Sequence, residues 1–237
     1  RETTVVITCG GRTRAIIGAQ VLIDAGIDNP VLELVNGTTG WALEGLPLET
    51  NADRVAGEPA PDTRQRAAAR AAHLARRAGV REIDAATLAY WQLEAPARTL
   101  YTFDVRTAEE YEAGHLAGTV WVPGGQLVQE LSRHVAVLGA RVVLVDDPDG
   151  IRARATGAWL RQLGLPDVAV LAGWPEDATE TAHGLAVRAR LERGNAITPD
   201  SDLAARRTSS SAYVAWCANV VSAVAADPTH RFRELAR

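Results

Sequence analysis

Two stretches of the chain repeat the same order of strand, loop, helix and strand at a fixed spacing, and that repetition limits the fold more than any single residue does. Shifted by 138 positions, VITCGGRTRAIIGAQVLIDAGI lies on LVDDPDGIRARATGAWLRQLGL without a gap. Cys9 falls on Asp147, Arg14 on Arg152 and Gly26 on Gly164, and a Gly-Trp pair closes each copy, Gly40-Trp41 and Gly173-Trp174. A short β-branched run, a Gly-bearing loop and a helix that stops at glycine make a parallel α/β unit. The expected class is α/β, with parallel central sheets flanked by helices. The copies are unequal. Arg1 maps to Gly139 while the second copy starts near Arg98, so about 41 residues have no counterpart ahead of the first copy. The first module is expected to be incomplete at its N-terminus, and a missing upstream domain, a partner copy in a homodimer or local disorder would have to answer for its exposed sheet edge.

Four regions follow. Residues 1–50 hold strand VVIT, helix AIIGAQVLIDAG and strand VLELV; residues 51–97 are a linker with helices, opening on the Pro- and Gly-bearing NADRVAGEPAPDT. An Ala/Arg helix over 64–79 and a second over IDAATLAYWQLE, with Asp84 as N-cap, are expected there. Residues 98–175 form the second α/β domain: strand TLYTFDV, a short helix in EEYEAGHL, a longer one over GQLVQELSRHVAVLG, strand RVVLV, helix ARATGAWLRQLG and strand VAVL. Residues 176–237 are a C-terminal tail with one helix.

Composition excludes several classes. A chain of 237 residues that is 47% hydrophobic and 23% charged is globular, and no run of 18 apolar residues suggests a membrane span. The net charge of −4 argues against a nucleic-acid or anionic-membrane surface. The Arg-rich helix 64–79 has no interleaved aromatics, so a solvated, ion-paired face is the reading there. Every basic side chain is Arg, and Met is absent, so residue 1 is not expected to be a translation start. Two cysteines and five scattered histidines, at 73, 115, 134, 183 and 230, give neither a disulfide framework nor metal-ligand spacing. A cytoplasmic setting, no metal and no cofactor are expected.

The chemistry is expected in the loop CGGRTR. Cys9 ends a strand and opens a helix, where convergent N–H groups and the helix N-terminus favour an anion, hence thiolate over thiol. Gly10 and Gly11 are expected to supply backbone angles that side chains resist. Arg12 and Arg14 add planar cations suited to oxyanions. An isolated cysteine after a strand is ordinarily a small core residue; here the Gly-Gly and Arg neighbours point to an activated nucleophile. A phosphatase loop of the C-x5-R kind would need Arg at position 15, which is Ala15, whereas Arg14 stands at the x4 spacing.

The segment CGGRTRAIIGAQVLIDAGIDNPVLELVNGTTGW resembles the active-site half of a rhodanese domain from the multidomain rhodanese-like thiosulfate sulfurtransferases of bacteria. DVRTAEEYEAGHLAG is similar to that family's entry motif, PGGQLVQ, GARVVLVDD and WLRQLG follow in its order, and AYVAWCANVVSAVAADPTHRF resembles its closing helix and tail. The resemblance covers residues 1–50 and 98–174, and 212–233 less closely. It implies tandem rhodanese-like modules. It also implies that Cys9 takes the outer sulfur of thiosulfate as a persulfide, sulfite leaves, and cyanide or a thiol acceptor removes the sulfur. Gly10, Gly11, Arg12, Thr13 and Arg14 match the substrate-binding loop, Arg12 and Arg14 facing the sulfonate. The second copy carries Asp147 where a nucleophile would stand, and is expected to be catalytically dead. The alternative from another class is a non-catalytic rhodanese-like binding or sulfur-carrier scaffold.

Three further motifs read as structural. Asp104, Arg106, Glu110 and His115 are expected to fix the turn after the first strand of the second copy, because buried polar groups must be paired. Gly124, Gly125 and Gln126 are expected to form a tight turn. Cys217, in an apolar helical run beside Trp216, is expected in the core.

Overall fold

The computed structural model describes residues 2–49, 51, 53–54, 56–173, 179–181 and 203–235. Trp174 and His183, and the greater part of the expected tail up to residue 202, lie outside the described residues. The chain divides into two compact units: residues 1–23, 27–57 and 189–230 in one, and residues 24–26, 58–188 and 231–237 in the other.

In the first unit, β1 (Val5–Ile7) and β2 (Val31–Glu33) pair in parallel, Val5 opposite Val31 and Ile7 opposite Glu33. Helix α1 (Thr13–Asp24) crosses between them and buries Ala15, Ile17 and Ala19, of which Ala15 and Ala19 stand one turn apart on the same face. It stops at Gly26, whose φ of 70° lets Ile27 N–H return to the Leu22 carbonyl at 3.3 Å. Helix α2 (Gly37–Leu43) follows β2.

The second unit is built on a five-stranded parallel sheet. In chain order it comprises α3 (Pro61–Ala78), β3 (Arg81–Ile83), α4 (Ala85–Glu94), β4 (Leu100–Asp104), α5 (Ala108–Ala113), β5 (His115–Leu116), β6 (Val120–Trp121) and α6 (Gly124–Gln129). Then come α7 (Leu131–His134), β7 (Arg141–Val145), α8 (Ile151–Gln162), β8 (Asp167–Leu171) and β9 (Thr179–Glu180), the last pairing antiparallel with β5. The sheet order is β3-β8-β7-β4-β6. Strands β7 and β8 are buried on both sides, as parallel strands between helical layers must be: Val142, Val143, Leu144 and Val145 have no exposed surface. Val143, Val145, Ala169 and Leu171 pack with Leu88 and Trp91 of α4. Gly157 admits α8 to the sheet, where a Cβ would press Val80 at 3.1 Å and meet Leu144 at 3.5 Å. A final helix, α9 (Leu203–Ala226), belongs to the first unit.

Three elements differ from the sequence expectations. The segment 51–97, expected as a linker carrying helices, also supplies β3, which joins the sheet at its edge beside β8. Three residues, two of them charged, give no alternation to detect; only the partner strand makes them a strand. The single helix expected over 125–139 is two short ones. Val135, 3% exposed, turns into the core, and the Ala136 N–H is taken by the Tyr101 hydroxyl at 3.2 Å, so the helix cannot continue. Gly124 and Gly125 open α6 instead of forming a tight turn, because α6 packs so closely on α8 that a Cβ at Gly124 would overlap Thr156. Asp84 caps α4 as expected, accepting the Thr87 N–H at 2.8 Å.

The 138-residue offset recurs in the geometry. Val5 opposite Val31 corresponds to Val143 opposite Ala169, and α1 to α8 residue for residue. Gly164 has φ 95°, and Leu165 N–H returns to the Leu160 carbonyl at 3.1 Å, as Ile27 does to Leu22. Burial differs between the two segments: Val6 and Leu32 are each 56% exposed, while Leu144 and Val170, at the same offset, are 0% and 3% exposed.

Candidate active site

β1 ends at Ile7, and α1 begins at Thr13, so Thr8–Arg12 is the whole of the loop between them. Cys9 therefore stands at the carboxyl end of a parallel strand and ahead of a 12-residue helix, a position that favours bound negative charge. Cys9, Gly11 and Arg12 are half-buried, and Gly10, Thr13 and Arg14 are exposed. Thr13 and Arg14 are the first two residues of α1, so the five residues expected to bind substrate form one continuous rim.

Helix α2 fixes the loop. Thr38 N–H donates to the Cys9 carbonyl at 3.0 Å and Thr39 N–H to the Gly10 carbonyl at 3.1 Å; the Thr39 hydroxyl donates to the same Gly10 oxygen at 2.5 Å. In a planar trans peptide the N–H opposes the C=O, and no peptide in the described chain is cis. With the Cys9 and Gly10 carbonyls turned toward α2, the N–H groups of Gly10 and Gly11 point away from it. Two backbone donors beside a thiol, at a helix N-terminus, can hold an anionic sulfur or an oxyanion.

The glycine that the loop depends on is not the one expected. Neither Gly10 nor Gly11 has a positive φ. That conformation falls at Asn36 and Gly37, both at φ 57°, where α2 starts. A Cβ on Gly37 would overlap the carbonyl oxygens of Cys9 and Gly11 and lie 3.0 Å from the Cys9 carbonyl carbon. Gly37 is thus a site residue that sequence reading passed over. The available signal was the Asn36-Gly37 dipeptide directly after VLELV, a turn marker.

The counterpart loop after β7 fills its own cradle. Asp147 Oδ1 accepts the N–H groups of Asp149 and Gly150 at 3.0 and 3.2 Å, and its Oδ2 accepts from Arg152 at 3.1 Å and Arg64 at 3.3 Å. Asp146, 3% exposed, accepts the Ala153 N–H at 2.9 Å and Arg152 Nε at 2.8 Å. Arg152 also grips Glu110 through both nitrogens of its fork, at 2.6 and 3.0 Å, and holds that carboxyl down to about 2. Burial pushes the Asp146 carboxyl up. Burial opposes the charge on Arg152, but Glu110, Asp146 and Asp147 together raise its pKa. Two loop N–H groups and two arginines that could meet an external anion are thus held by a carboxylate of the chain.

Asp104, Arg106 and His115 lie elsewhere in that unit. Arg106 Nη2 donates to Asp104 Oδ2 at 2.6 Å and to the Gly114 carbonyl at 2.7 Å, with Asp104 wholly buried. His115 Nδ1 donates to the Tyr111 carbonyl at 2.9 Å, and its ring stacks on Tyr111 with centroids 3.7 Å apart. This arrangement closes the turn between β4 and β6 and leaves no polar atom free to meet a substrate at Asp104. Cys217 is buried in α9 at 9% exposure.

Residues 86–174 match the family model of the rhodanese-like domain. A crystal structure of thiosulfate sulfurtransferase from Pseudomonas aeruginosa is 53% identical over 78% of this chain, with a TM-score of 0.71. The chain carries a domain of the rhodanese-like family. It spans 35% of the length of that Pseudomonas protein. Two Escherichia coli structures, each 18% identical, align more loosely. A rhodanese with anions is covered over its whole length by 35% of this chain at a TM-score of 0.32; a 3-mercaptopyruvate sulfotransferase is covered over 69% by 74% of it at 0.34. No curated protein sequence matches the chain. The family match takes in α4 and β4 to β8 but not α3 or β3, so this rhodanese-like sheet carries an edge strand upstream of the matched residues. The match also excludes Cys9, which lies in the other unit.

Proposed function

We propose that this rhodanese-like chain transfers a sulfane sulfur through Cys9. The Cys9 thiolate attacks the outer sulfur of thiosulfate; the S–S bond to the sulfonate breaks, sulfite departs with its electron pair, and Cys9 carries a persulfide anion. Cyanide or a thiolate then attacks the terminal sulfur, and Cys9 returns to thiolate as thiocyanate or an acceptor persulfide leaves. The observation that carries this reading is the pair of α2 hydrogen bonds to the Cys9 and Gly10 carbonyls, which frees the Gly10 and Gly11 N–H groups for a charged sulfur. Arg12 and Arg14, at the mouth of α1, supply cations for the departing sulfite.

The chain on this reading holds two copies of one half-module, residues 5–33 and 143–171, of which only the first is chemically competent. The matching strand registers support this, and so does the self-occupied Asp147 loop. The exposure of Val6 and Leu32 favours a second reading, in which the first unit is a sulfur carrier or binding scaffold whose sheet face is completed by further protein. Thiosulfate:cyanide turnover separates the two. Sustained thiocyanate release that disappears in Cys9→Ser supports the enzyme; a single stoichiometric persulfide without turnover supports the carrier.

A further inference from the structure

Helix α9 places an aromatic side chain against the Cys9 loop from 204 positions away in sequence. A Cβ on Gly11 would meet Tyr213 Cε1 at 3.4 Å and the Tyr213 hydroxyl at 3.6 Å, so the phenol ring packs directly over Gly11. The Thr13 side chain at the start of α1 and the Cys217 thiol one turn along α9 both act on the phenol, whose residue is 36% exposed. Trp216 packs beside the ring, centroids 6.2 Å apart at 30°, and remains 62% exposed. Cys217, buried and without a loop of its own, thus backs the phenol.

We infer that Tyr213 is a positioning residue of the Cys9 site: its ring walls the loop at Gly11, and its hydroxyl ties the first turn of α1 to α9. Burial, then Cys217, hold its phenol above the ordinary range, against the effect of Thr13, so it stays neutral and does not repel an anion. The wall restricts what reaches the sulfur. A compact dianion such as thiosulfate passes; a bulky electrophile is hindered.

The inference uses the sulfur-transfer reading for its kinetic part only. Cys9 alkylation by iodoacetamide and by a bulky N-aryl maleimide is measured on the wild-type chain, Tyr213→Phe and Tyr213→Ala, with labelled tryptic peptides separating Cys9 from Cys217. Tyr213→Ala should raise the maleimide rate relative to the iodoacetamide rate at Cys9 by about threefold to tenfold, and Tyr213→Phe, which keeps the wall, should leave that ratio unchanged. In turnover, Tyr213→Phe should raise KM for thiosulfate by about threefold to tenfold with kcat little changed, the size of one lost neutral hydrogen bond. An unchanged size ratio in Tyr213→Ala, or in Tyr213→Leu if the alanine variant fails to fold, overturns the wall. An unchanged KM in Tyr213→Phe overturns the tether. A wild-type chain with no turnover sinks the sulfur-transfer reading, while the alkylation ratio still decides the wall.

Discussion

Gly37 stands where any side chain would collide with Cys9: a Cβ there would overlap the Cys9 carbonyl oxygen, at a φ of 57° that L residues resist. The loop holding Cys9 is therefore set by a residue 28 positions downstream, at the head of a different helix. Gly37→Ala is expected to cost about 1–3 kcal/mol of stability and to lower turnover at least about tenfold by pushing α2 off the Cys9 and Gly10 carbonyls. Gly10→Ala, with nothing within 4 Å of its Cβ position and no positive φ, is expected to change the melting temperature little. Thermal melting and thiocyanate release of both variants check the contrast.

Cys9, and not Cys217, is expected to carry sulfur. After incubation with thiosulfate, peptide mass mapping should place one added sulfur on the tryptic peptide ending at Arg12. Cys217→Ser should keep that label and Cys9→Ser should lose it. Label confined to the Cys217 peptide would reverse the assignment.

Asp147→Ala removes a carboxylate that accepts two loop N–H groups and two arginines. The loss is expected at about 0.5–2 kcal/mol, the range of a lost helix cap, because the N–H groups regain water. Thiosulfate:cyanide turnover should be unaffected, since the proposed sulfur carrier is Cys9 and this loop has no cysteine. A large drop in turnover with an unshifted melting curve would show that the acidic loop takes part in the reaction.

Glu110 gives a pH signature. Arg152 lowers its carboxyl to about 2, against 4.5 for an ordinary glutamate, so its stabilising effect is complete above pH about 4.5 and disappears as pH falls through about 2. Glu110→Gln keeps a side chain able to complete the Thr107 capping box but cannot ionise. The variant should melt below wild type at pH 7, and the gap should close between pH about 4.5 and 2. A gap that stays constant across that window would show that Arg152 does not stabilise the ionised form.

Local pattern carried much of this architecture. The β-branched run RVVLV, the apolar spacing of ARATGAWLRQLG and the stop at Gly164 make β7 and α8 readable as they stand, because burial on both faces demands such residues wherever a parallel strand sits between helices. The same holds for β1, α1 and Gly26, and for the Asp84 cap, whose partner is only three residues away. The 138-residue offset was also a property of the sequence. It fixed which residues correspond, Cys9 with Asp147 and Arg14 with Arg152, before any contact was known.

What sequence could not determine were relationships that exist only between distant elements. β3 is a strand because β8 offers it hydrogen bonds, and its own residues carry no period. The helix over 125–139 breaks because Tyr101, far upstream, captures one backbone N–H and Val135 is drawn into the core. At the candidate site, the pattern CGGRTR pointed to Cys9 but misplaced the conformational burden on Gly10 and Gly11, since the need for a missing Cβ arises from the approach of α2 to the loop. Tyr213 was invisible for the same reason. A tyrosine in an apolar helix has no local mark of its neighbours, and only the packing of α9 in the first unit brings it to Gly11 and Thr13. Short-range hydrogen bonding and periodic burial are written into neighbouring residues; steric approach between elements is decided by the folded backbone, and so appears only there.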